Sequence, residues 1–228
     1  MLAHHFLKSR SLGAPRGRRG HSIVEVTIAA TVLMSVFGAV GVVTQRGARV
    51  SEEGISSTTV ENAARRAVDR VASELTNCQA ASLPLPPATQ RGANLIEFQR
   101  AEGYVGGNVQ LSNERRMLRV ASAGDPDDGL DNDSDGLVDE GDLVLIPDTS
   151  DPDSPNVVIA TGVAEMTARE IAGNGVDDNG NGLIDEPGLC FAWDNDALVV
   201  RILVTLQRVG TQGQVYTRTS ETTVGIRN

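Results

Sequence analysis

The chain has 228 residues and a formal net charge of −10, from 30 acidic and 20 basic residues. This excess of acid argues against nucleic acid and anionic membrane surfaces as partners, and it favours bound cations. The low aromatic content of 3% disfavours carbohydrate binding, and the sequence has no Gly-rich phosphate loop with a lysine.

Residues 1–20 form a short basic leader that contains no acid. Five positive charges lie here, on Lys8, Arg10, Arg16, Arg18 and Arg19. Basic residues beside a membrane helix stay on the cytoplasmic side, so we expect the chain that follows to be translocated.

An apolar segment follows at residues 23–43, and Glu25 is its only charged residue. As a helix, this segment would be about 31 Å long, at about 1.5 Å per residue. The hydrocarbon core of a bilayer is about 30 Å thick, so the segment predicts a transmembrane helix. An ionised carboxylate at membrane depth normally has a partner or a function, and Glu25 is therefore a candidate functional residue.

The order of residues around this helix resembles the amino terminus of type IV prepilins and type II secretion pseudopilins. The basic leader ends in Gly20, an apolar helix follows, and Glu25 is the fifth residue after that glycine. The resemblance implies that a prepilin peptidase cuts between Gly20 and His21 and methylates the new amine. It also implies that Glu25 pairs with the terminal amine of a neighbouring subunit in a filament.

The same resemblance implies a place in the cell and a kind of subunit. The chain would cross the bacterial inner membrane once, with its carboxyl-terminal domain in the periplasm until assembly. The size of that domain is similar to minor pilins of the PilW kind and to J-type pseudopilins. Other pilin subunits, prepilin peptidase and the inner membrane would be its partners.

Two other interpretations of the apolar segment stay open. It fits a plain single-span anchor, or a secretory signal cleaved after the small residues at 39–41. Each interpretation places the rest of the chain outside the cytoplasm. Cleavage after Gly20 would remove five positive charges, take the net charge from −10 to −15, and leave His21 as the only histidine. Because triads and zinc sites that depend on histidine would then lack members, we expect no enzyme.

Beyond residues 21–43, the pattern at residues 44–82 predicts an amphipathic helix. Apolar residues recur there at spacings of three and four, at Val60, Ala63, Ala64, Ala67, Val68, Val71, Ala72 and Leu75. Gly47 and Gly54 are weak helix formers and mark a possible bend. Pro84, Pro86 and Pro87 predict that the helix ends near residues 78–82.

Residues 83–228 are predicted to form one β-rich periplasmic domain. Short segments rich in Val, Ile or Leu and bounded by turn residues predict strands at 93–99, 104–111, 117–122, 143–146, 156–160, 197–209 and 214–226. The last two are expected to form a hairpin across residues 210–213. The fold class is therefore α+β, and a long helix laid against an antiparallel sheet is the pilin-like arrangement.

An internal repeat is the most informative feature of this domain. Residues 129–140 (GLDNDSDGLVDE) and 175–186 (GVDDNGNGLIDE) align without a gap, within loops expected at 125–142 and 173–188. Oxygen-bearing residues alternate and are followed by a glycine, as at the start of an EF-hand calcium loop. The predicted ligands are Asp131, Asp133, Asp135, Leu137, Asp139 and Glu140 in the first loop, and Asp177, Asn179, Asn181, Leu183, Asp185 and Glu186 in the second.

These loops predict two Ca²⁺ sites, of which the second is expected to be weaker because it has Asn where the first has Asp. A full EF-hand loop closes with Glu at its twelfth position, which holds Asp142 in one copy and Gly188 in the other. Because the loops also do not lie between two clear amphipathic helices, they are more similar to those of thrombospondin or dockerin. The alternative is a pair of Asp/Asn/Gly turns. Crowded acids predict that the first loop needs a cation to fold.

Cys78 and Cys190 are the two cysteines of the chain. In an oxidising periplasm they are candidates for a disulfide, and the alternative is two buried thiols.

Two functions of different class remain after these exclusions. The first is a structural subunit of a type IV pilus or type II secretion filament. The second is a calcium-dependent adhesin or recognition module that uses the anchor for display.

Overall fold

The computed structural model describes residues 22–83, 92–194 and 198–226. The leader and the predicted cleavage site at Gly20 and His21 lie outside these residues. The described chain is α+β: one long helix, α1, precedes nine strands, and its carboxyl-terminal part packs on an antiparallel sheet.

Helix α1 spans Ile23–Leu75, a length of 53 residues. Ser22 precedes it and accepts a hydrogen bond at Oγ from the amide of Val24 at 3.3 Å. Glu25 lies in the first turn, where a negative charge interacts favourably with the helix dipole. Residues 22–55 are exposed, and an 18-residue window of the helix has a mean hydropathy of 2.3. The helix is thus long and apolar enough to span a membrane.

The predicted bend at Gly47 and Gly54 does not interrupt α1, which is assigned as one helix. The hydroxyl groups of Thr58 and Thr59 donate to carbonyl groups four residues earlier, at 2.7 and 2.8 Å. These bonds satisfy the hydroxyl groups within the helix, so the run of Ser and Thr at 56–59 is compatible with it.

The helix ends at Leu75, a few residues before the predicted end at residues 78–82. The main chain after Leu75 pairs with a later segment: Ala101 donates to the carbonyl of Asn77 at 2.9 Å, and Gln79 donates to the carbonyl of Gln99 at 3.3 Å. Those groups are therefore not used to extend the helix. A short 3₁₀ helix follows at Ala80–Ser82.

Seven strands form the main sheet, and all its pairings are antiparallel. They are β1 (Leu95–Phe98), β4 (Arg115–Ala121), β5 (Gly141–Ile146), β6 (Val157–Val163), β7 (Leu189–Asp194), β8 (Val199–Val209) and β9 (Val215–Gly225). Hydrogen bonding joins them in the order β1-β4-β5-β6-β8-β7, and β9 pairs with β8. Strand β8 pairs with β9 along its whole length, and the hairpin predicted across residues 210–213 is confirmed.

Residues 104–111, predicted as one strand, instead comprise the end of the first strand, the turn and the second strand of a separate hairpin. Its strands are β2 (Ala101–Val105) and β3 (Asn108–Leu111). Gly106 and Gly107 have φ values of 60° and 90°, as a two-residue hairpin turn requires. All residues of both strands are exposed.

The main sheet has apolar clusters on both faces. The larger cluster joins the buried face of α1, which includes Val60, Ala64 and Val71, to strand residues such as Phe98 and Phe191. The smaller one lies on the other face and consists of Leu183, Cys190 and Leu203, with Ala192 packed against it.

The two cysteines are free and buried, so the alternative of two buried thiols is the one found and the disulfide is absent. Cys78 belongs to the cluster that contains α1, whereas Cys190 belongs to the cluster on the other face. Alternation along β7 causes this separation, because Phe191 points towards α1 and its neighbour Cys190 points away.

Candidate metal centre

Each acidic loop connects two strands that are consecutive in the chain. The first lies between β4, which ends at Ala121, and β5, which begins at Gly141. The second lies between β6, which ends at Val163, and β7, which begins at Leu189.

The two loops have the same backbone conformation at equivalent positions. Positive φ values occur at four aligned pairs: Gly129 and Gly175, Ser134 and Gly180, Gly136 and Gly182, and Asp139 and Asp185. The ungapped sequence repeat is therefore also a structural repeat, which two unrelated Asp/Asn/Gly turns would not produce. The glycine after the third alternating residue has φ near 90° in both copies, a conformation that L side chains rarely adopt.

Three aspartates of the first loop bring carboxylate oxygens together. One oxygen each from Asp131, Asp133 and Asp135 lies within 4.8 Å of the other two, and all three residues are exposed. Main-chain amides hold the group: Gly136 donates to Asp131 Oδ2 at 3.0 Å, and Leu137 donates to Asp135 Oδ1 at 2.8 Å. This cluster could hold a metal ion, and its all-oxygen chemistry suits a hard cation.

Glu140 faces the same centre from the far end of the loop. It lines a cavity of ≈ 440 Å³ together with Asp133 and Asp135. Glu140 is only 3% exposed, and no donor reaches its Oε2 atom. Burial raises the pKa of Glu140, because burial penalises the charged form.

Asp139 and Asp185, which were predicted as ligands, have another use in the structure. Asp139 accepts the amides of Asp128 and Gly129 at 2.8 to 2.9 Å, and both of its carboxylate oxygens take part. Asp185 accepts the amide of Gly175 at 3.0 and 3.1 Å through its two oxygens. The side chains of Asp139 and Asp185, near the end of each loop, are thus hydrogen-bonded to main-chain amides near its start.

In the second loop, Glu186 is the residue equivalent to Glu140, and it contacts the side chains of Asn179 and Asn181. Its Oε1 accepts a hydrogen bond from Asn179 Nδ2 at 2.6 Å and another from Asn181 Nδ2. Glu186 is fully buried, and its Oε2 has no donor. Asp177 accepts the amide of Gly182 at 2.8 Å, which matches the bond between Gly136 and Asp131 in the first loop. The polar side chains of this loop therefore also converge on one point.

Buried leucines anchor both loops to the folded domain. Leu137 and Leu183 are 5% and 7% exposed. Their amides donate to the side chains of Asp135 and Asn181 at 2.8 Å. Each leucine, whose carbonyl is a predicted ligand, is therefore held beside the side chain of another predicted ligand.

Two acids outside the repeats were not among the predicted ligands, and Glu170, unlike Asp125, is only half-buried. Asp125 is fully buried, and its pKa is lowered, chiefly by the amide of Asn132. Glu170 accepts the amide of Asn179 at 2.9 Å, and its Oε2 is buried without a donor. They lie at different distances before the aligned segments, so comparison of the two copies does not reveal them.

No protein-family model matches the chain, and no significant match is found among curated proteins or solved structures. Function is therefore inferred from the geometry of the described residues.

Proposed function

We propose that the chain is a structural subunit of a type IV pilus or type II secretion filament, of the minor pilin or pseudopilin kind. Residues 23–43 anchor it in the inner membrane, and the domain from residue 83 onwards lies in the periplasm. Prepilin peptidase processes it after Gly20. The subunit has no catalytic role of its own.

The position of Glu25 is the single observation that carries this proposal. It lies in the first turn of helix α1, within an apolar part whose residues 22–55 are exposed, five residues after Gly20. A carboxylate at membrane depth costs several kcal/mol unless an opposite charge meets it. In a filament core, the amine of a neighbouring subunit supplies that charge as the helices pack together.

The arrangement of the rest of the chain supports the same proposal. A helix of 53 residues supplies both an apolar segment and, further along, a face that packs on an antiparallel sheet. One element thus serves as membrane anchor, as filament contact and as part of the core of the domain.

We propose Ca²⁺ as the ion of both loops. Three carboxylates and a buried glutamate in the first loop form a set of oxygen donors, and Ca²⁺ accepts six to eight oxygens in flexible geometry. The ion offsets the repulsion among these acids and fixes the connections between strands. An affinity of about 10⁻⁴ to 10⁻³ M, typical of extracellular modules, suits such a structural ion.

The amino-terminal peptide of the protein from its native membrane tests the proposal. Mass spectrometry is expected to find a peptide that starts at methylated His21. An intact Met1 would leave a membrane-anchored cation-binding protein, and a start near residue 42 would indicate a secreted one; either result overturns the proposal.

A charge-removing variant then tests the role of Glu25. Glu25→Gln keeps the shape of the side chain but cannot form an ion pair with a charged amine, so incorporation into filaments should be lost. Glu53→Gln is the matched control, because Glu53 is an exposed glutamate further along the same helix. Equal incorporation of both variants would contradict the proposed role.

A calcium-dependent recognition module is the second candidate function. The observation that favours it is the β2–β3 hairpin, which presents Tyr104 at 71% and Val105 at 65% exposure. In this case Glu25→Gln would leave surface binding intact, whereas a filament subunit would lose its place at the surface.

A further inference from the structure

Asp125 is a buried acid, and only one of its two carboxylate oxygens accepts a hydrogen bond. It precedes the first repeat by four residues and has no exposed surface. Its Oδ1 accepts the amide of Asn132 at 2.8 Å, whereas no donor reaches Oδ2.

The main chain brings Asp125 close to Glu140: Ser122 donates to the carbonyl of Glu140 at 3.1 Å, and Asp125 donates to the carbonyl of Ser122 at 3.1 Å. Glu140 also has a buried oxygen, Oε2, that no donor reaches. Each of these two acids thus has a buried oxygen without a donor, and Glu140 lines the cavity together with Asp133 and Asp135. Buried polar atoms in folded proteins almost always have a partner, and a bound cation supplies the missing one to both oxygens.

The second loop contains a related pair of acids, Glu170 and Glu186, which both accept a hydrogen bond from Asn179. Glu170 Oε1 accepts the amide of Asn179 at 2.9 Å, while its Oε2 is buried without a donor. Glu186, the counterpart of Glu140, again has a buried Oε2 without a donor. Glu170 lies five residues before its repeat, whereas Asp125 lies four residues before the first repeat. The glutamate side chain is longer than that of aspartate by one methylene group. Each loop therefore has one acid before its repeat and one at the end of its repeat with a buried oxygen that no donor reaches.

We propose that Asp125 and Glu170 each donate a carboxylate oxygen to the cation of the loop that follows them. This inference rests on the proposed cation binding and adds a ligand from outside each repeat. In the first loop, Asp125 becomes a sixth ligand residue beside the three clustered aspartates, the carbonyl of Leu137 and Glu140. Six ligand residues meet the minimum of six to eight oxygens that Ca²⁺ requires.

The added ligand changes what the ion does for the fold. Asp125 lies four residues after the end of β4, and Glu140 immediately precedes β5. An ion bound by both residues would hold the end of β4 close to the start of β5. The acidic segment between the two strands would then have its two ends fixed. Glu170 and Glu186 would close the second connection in the same way before β7.

Calorimetric titration of the full chain in detergent with CaCl₂ tests the first ligand. Asp125→Asn keeps an oxygen for the amide of Asn132 but removes the charge, so the Kd of the first site should rise about 10-fold or more. Asp153→Asn removes the same charge from an exposed position outside both loops and should leave the Kd unchanged. An unchanged Kd in Asp125→Asn overturns the proposal.

Urea unfolding separates a ligand from a residue that only supports the fold. In chelator, the new amide of Asp125→Asn can donate to Glu140, so the variant should be at least as stable as the wild type. With saturating Ca²⁺ its urea midpoint should lie below that of the wild type. An equal loss of stability in chelator and in Ca²⁺ would indicate a purely structural residue and overturn the proposal.

Glu170→Gln tests the second loop in the same titration, with Glu102→Gln on the exposed strand β2 as its control. Only the Kd of the second site should rise. If the wild type binds no Ca²⁺, this inference and the proposed calcium sites fail together. If the wild type binds two ions and both variants bind as tightly as their controls, this inference alone fails.

Discussion

Arg201 on β8 donates a hydrogen bond from Nη1 to the main-chain carbonyl of Asn181 at 3.0 Å and thereby attaches the second loop to the sheet. Its other nitrogens pair with Glu221 on β9, Nε with Oε1 at 2.7 Å and Nη2 with Oε2 at 2.9 Å. The hydrogen bonds to Glu221 raise the pKa of Arg201. A two-point ion pair fixes the plane of the guanidinium group, so the third bond is well aimed. The second loop, for which we propose a cation, is therefore connected to two strands through one side chain.

Arg201→Gln should lower the free energy of unfolding by about 1 to 2 kcal/mol, because it removes an ion pair and a bond to a loop carbonyl. It should also weaken binding at the second calcium site and leave the first unchanged. Urea unfolding and calorimetric titration measure the two effects. Arg65→Gln, which breaks an exposed pair with Glu61 on α1, is the control and should cost about 0.5 kcal/mol or less. Equal weakening of both sites would contradict the link to the second loop.

The difference between the two loops predicts the effect of exchanging one residue between them. Asp133 and Asn179 occupy the same position of the repeat, and affinity in such loops increases with the number of charged ligands. Asp133→Asn should weaken the first site about tenfold, and Asn179→Asp should strengthen the second by a similar factor. Calorimetric titration with CaCl₂ checks both variants. A weaker second site in Asn179→Asp would show that charge at this position does not govern affinity.

The order of the elements could be predicted from the sequence because each has a strong local signal. The apolar segment, the three- and four-residue spacing before Leu75 and the alternation along β9 all depend on neighbouring residues alone. The repeat at residues 129–140 and 175–186 likewise marks its own loops, and the structure shows equal backbone conformations there.

Features that depend on contacts distant in sequence could not be predicted. The helix ends at Leu75 because the main chain of residues 99–101 pairs with the segment after it. The two cysteines lie on opposite faces of the sheet, which no spacing between them indicates. Asp125 and Glu140 come close only because the loop folds back on itself, with Ser122 bonded to both main chains, so their proximity is visible only in three dimensions.

The two thiols should react slowly in the folded protein. Burial raises the pKa of Cys78 to about 11 and that of Cys190 to about 12, so the reactive thiolate is scarce at neutral pH. Iodoacetamide should label neither residue quickly, and denaturation in urea without reductant should expose two thiols. A count of zero under these conditions would indicate a disulfide in the protein from its native compartment.

Removal of Ca²⁺ should change the reactivity of one cysteine and not of the other. Cys190 packs against Leu183, which belongs to the second loop, whereas Cys78 lies in the cluster formed with α1. Chelator should therefore speed the alkylation of Cys190 selectively, and Cys78 serves as the internal control. Peptide mass mapping after timed labelling separates the two sites. Equal acceleration at both would mean that Ca²⁺ stabilises the whole domain and not the loop in particular.

Glu74 is a buried acid that holds the end of α1 to the sheet. It is 4% exposed and pairs with Arg70 at 3.0 Å, Arg100 at 3.1 Å and Arg115 at 3.2 Å. An acid in the last turn of a helix is unfavourable to the helix dipole, and the three arginines offset that effect.

Glu74→Gln should destabilise the domain by about 3 kcal/mol, because it leaves the largely buried guanidinium of Arg115 without its carboxylate. Glu61→Gln is the matched control: Glu61 lies on the same helix and has an arginine four residues away, but the pair is exposed and should contribute about 0.5 kcal/mol or less. Urea unfolding in saturating Ca²⁺ measures both without interference from the loops. Similar losses in the two variants would mean that the arginines around Glu74 find other partners, and that packing of Val71 and Leu75 alone holds the helix end on the sheet.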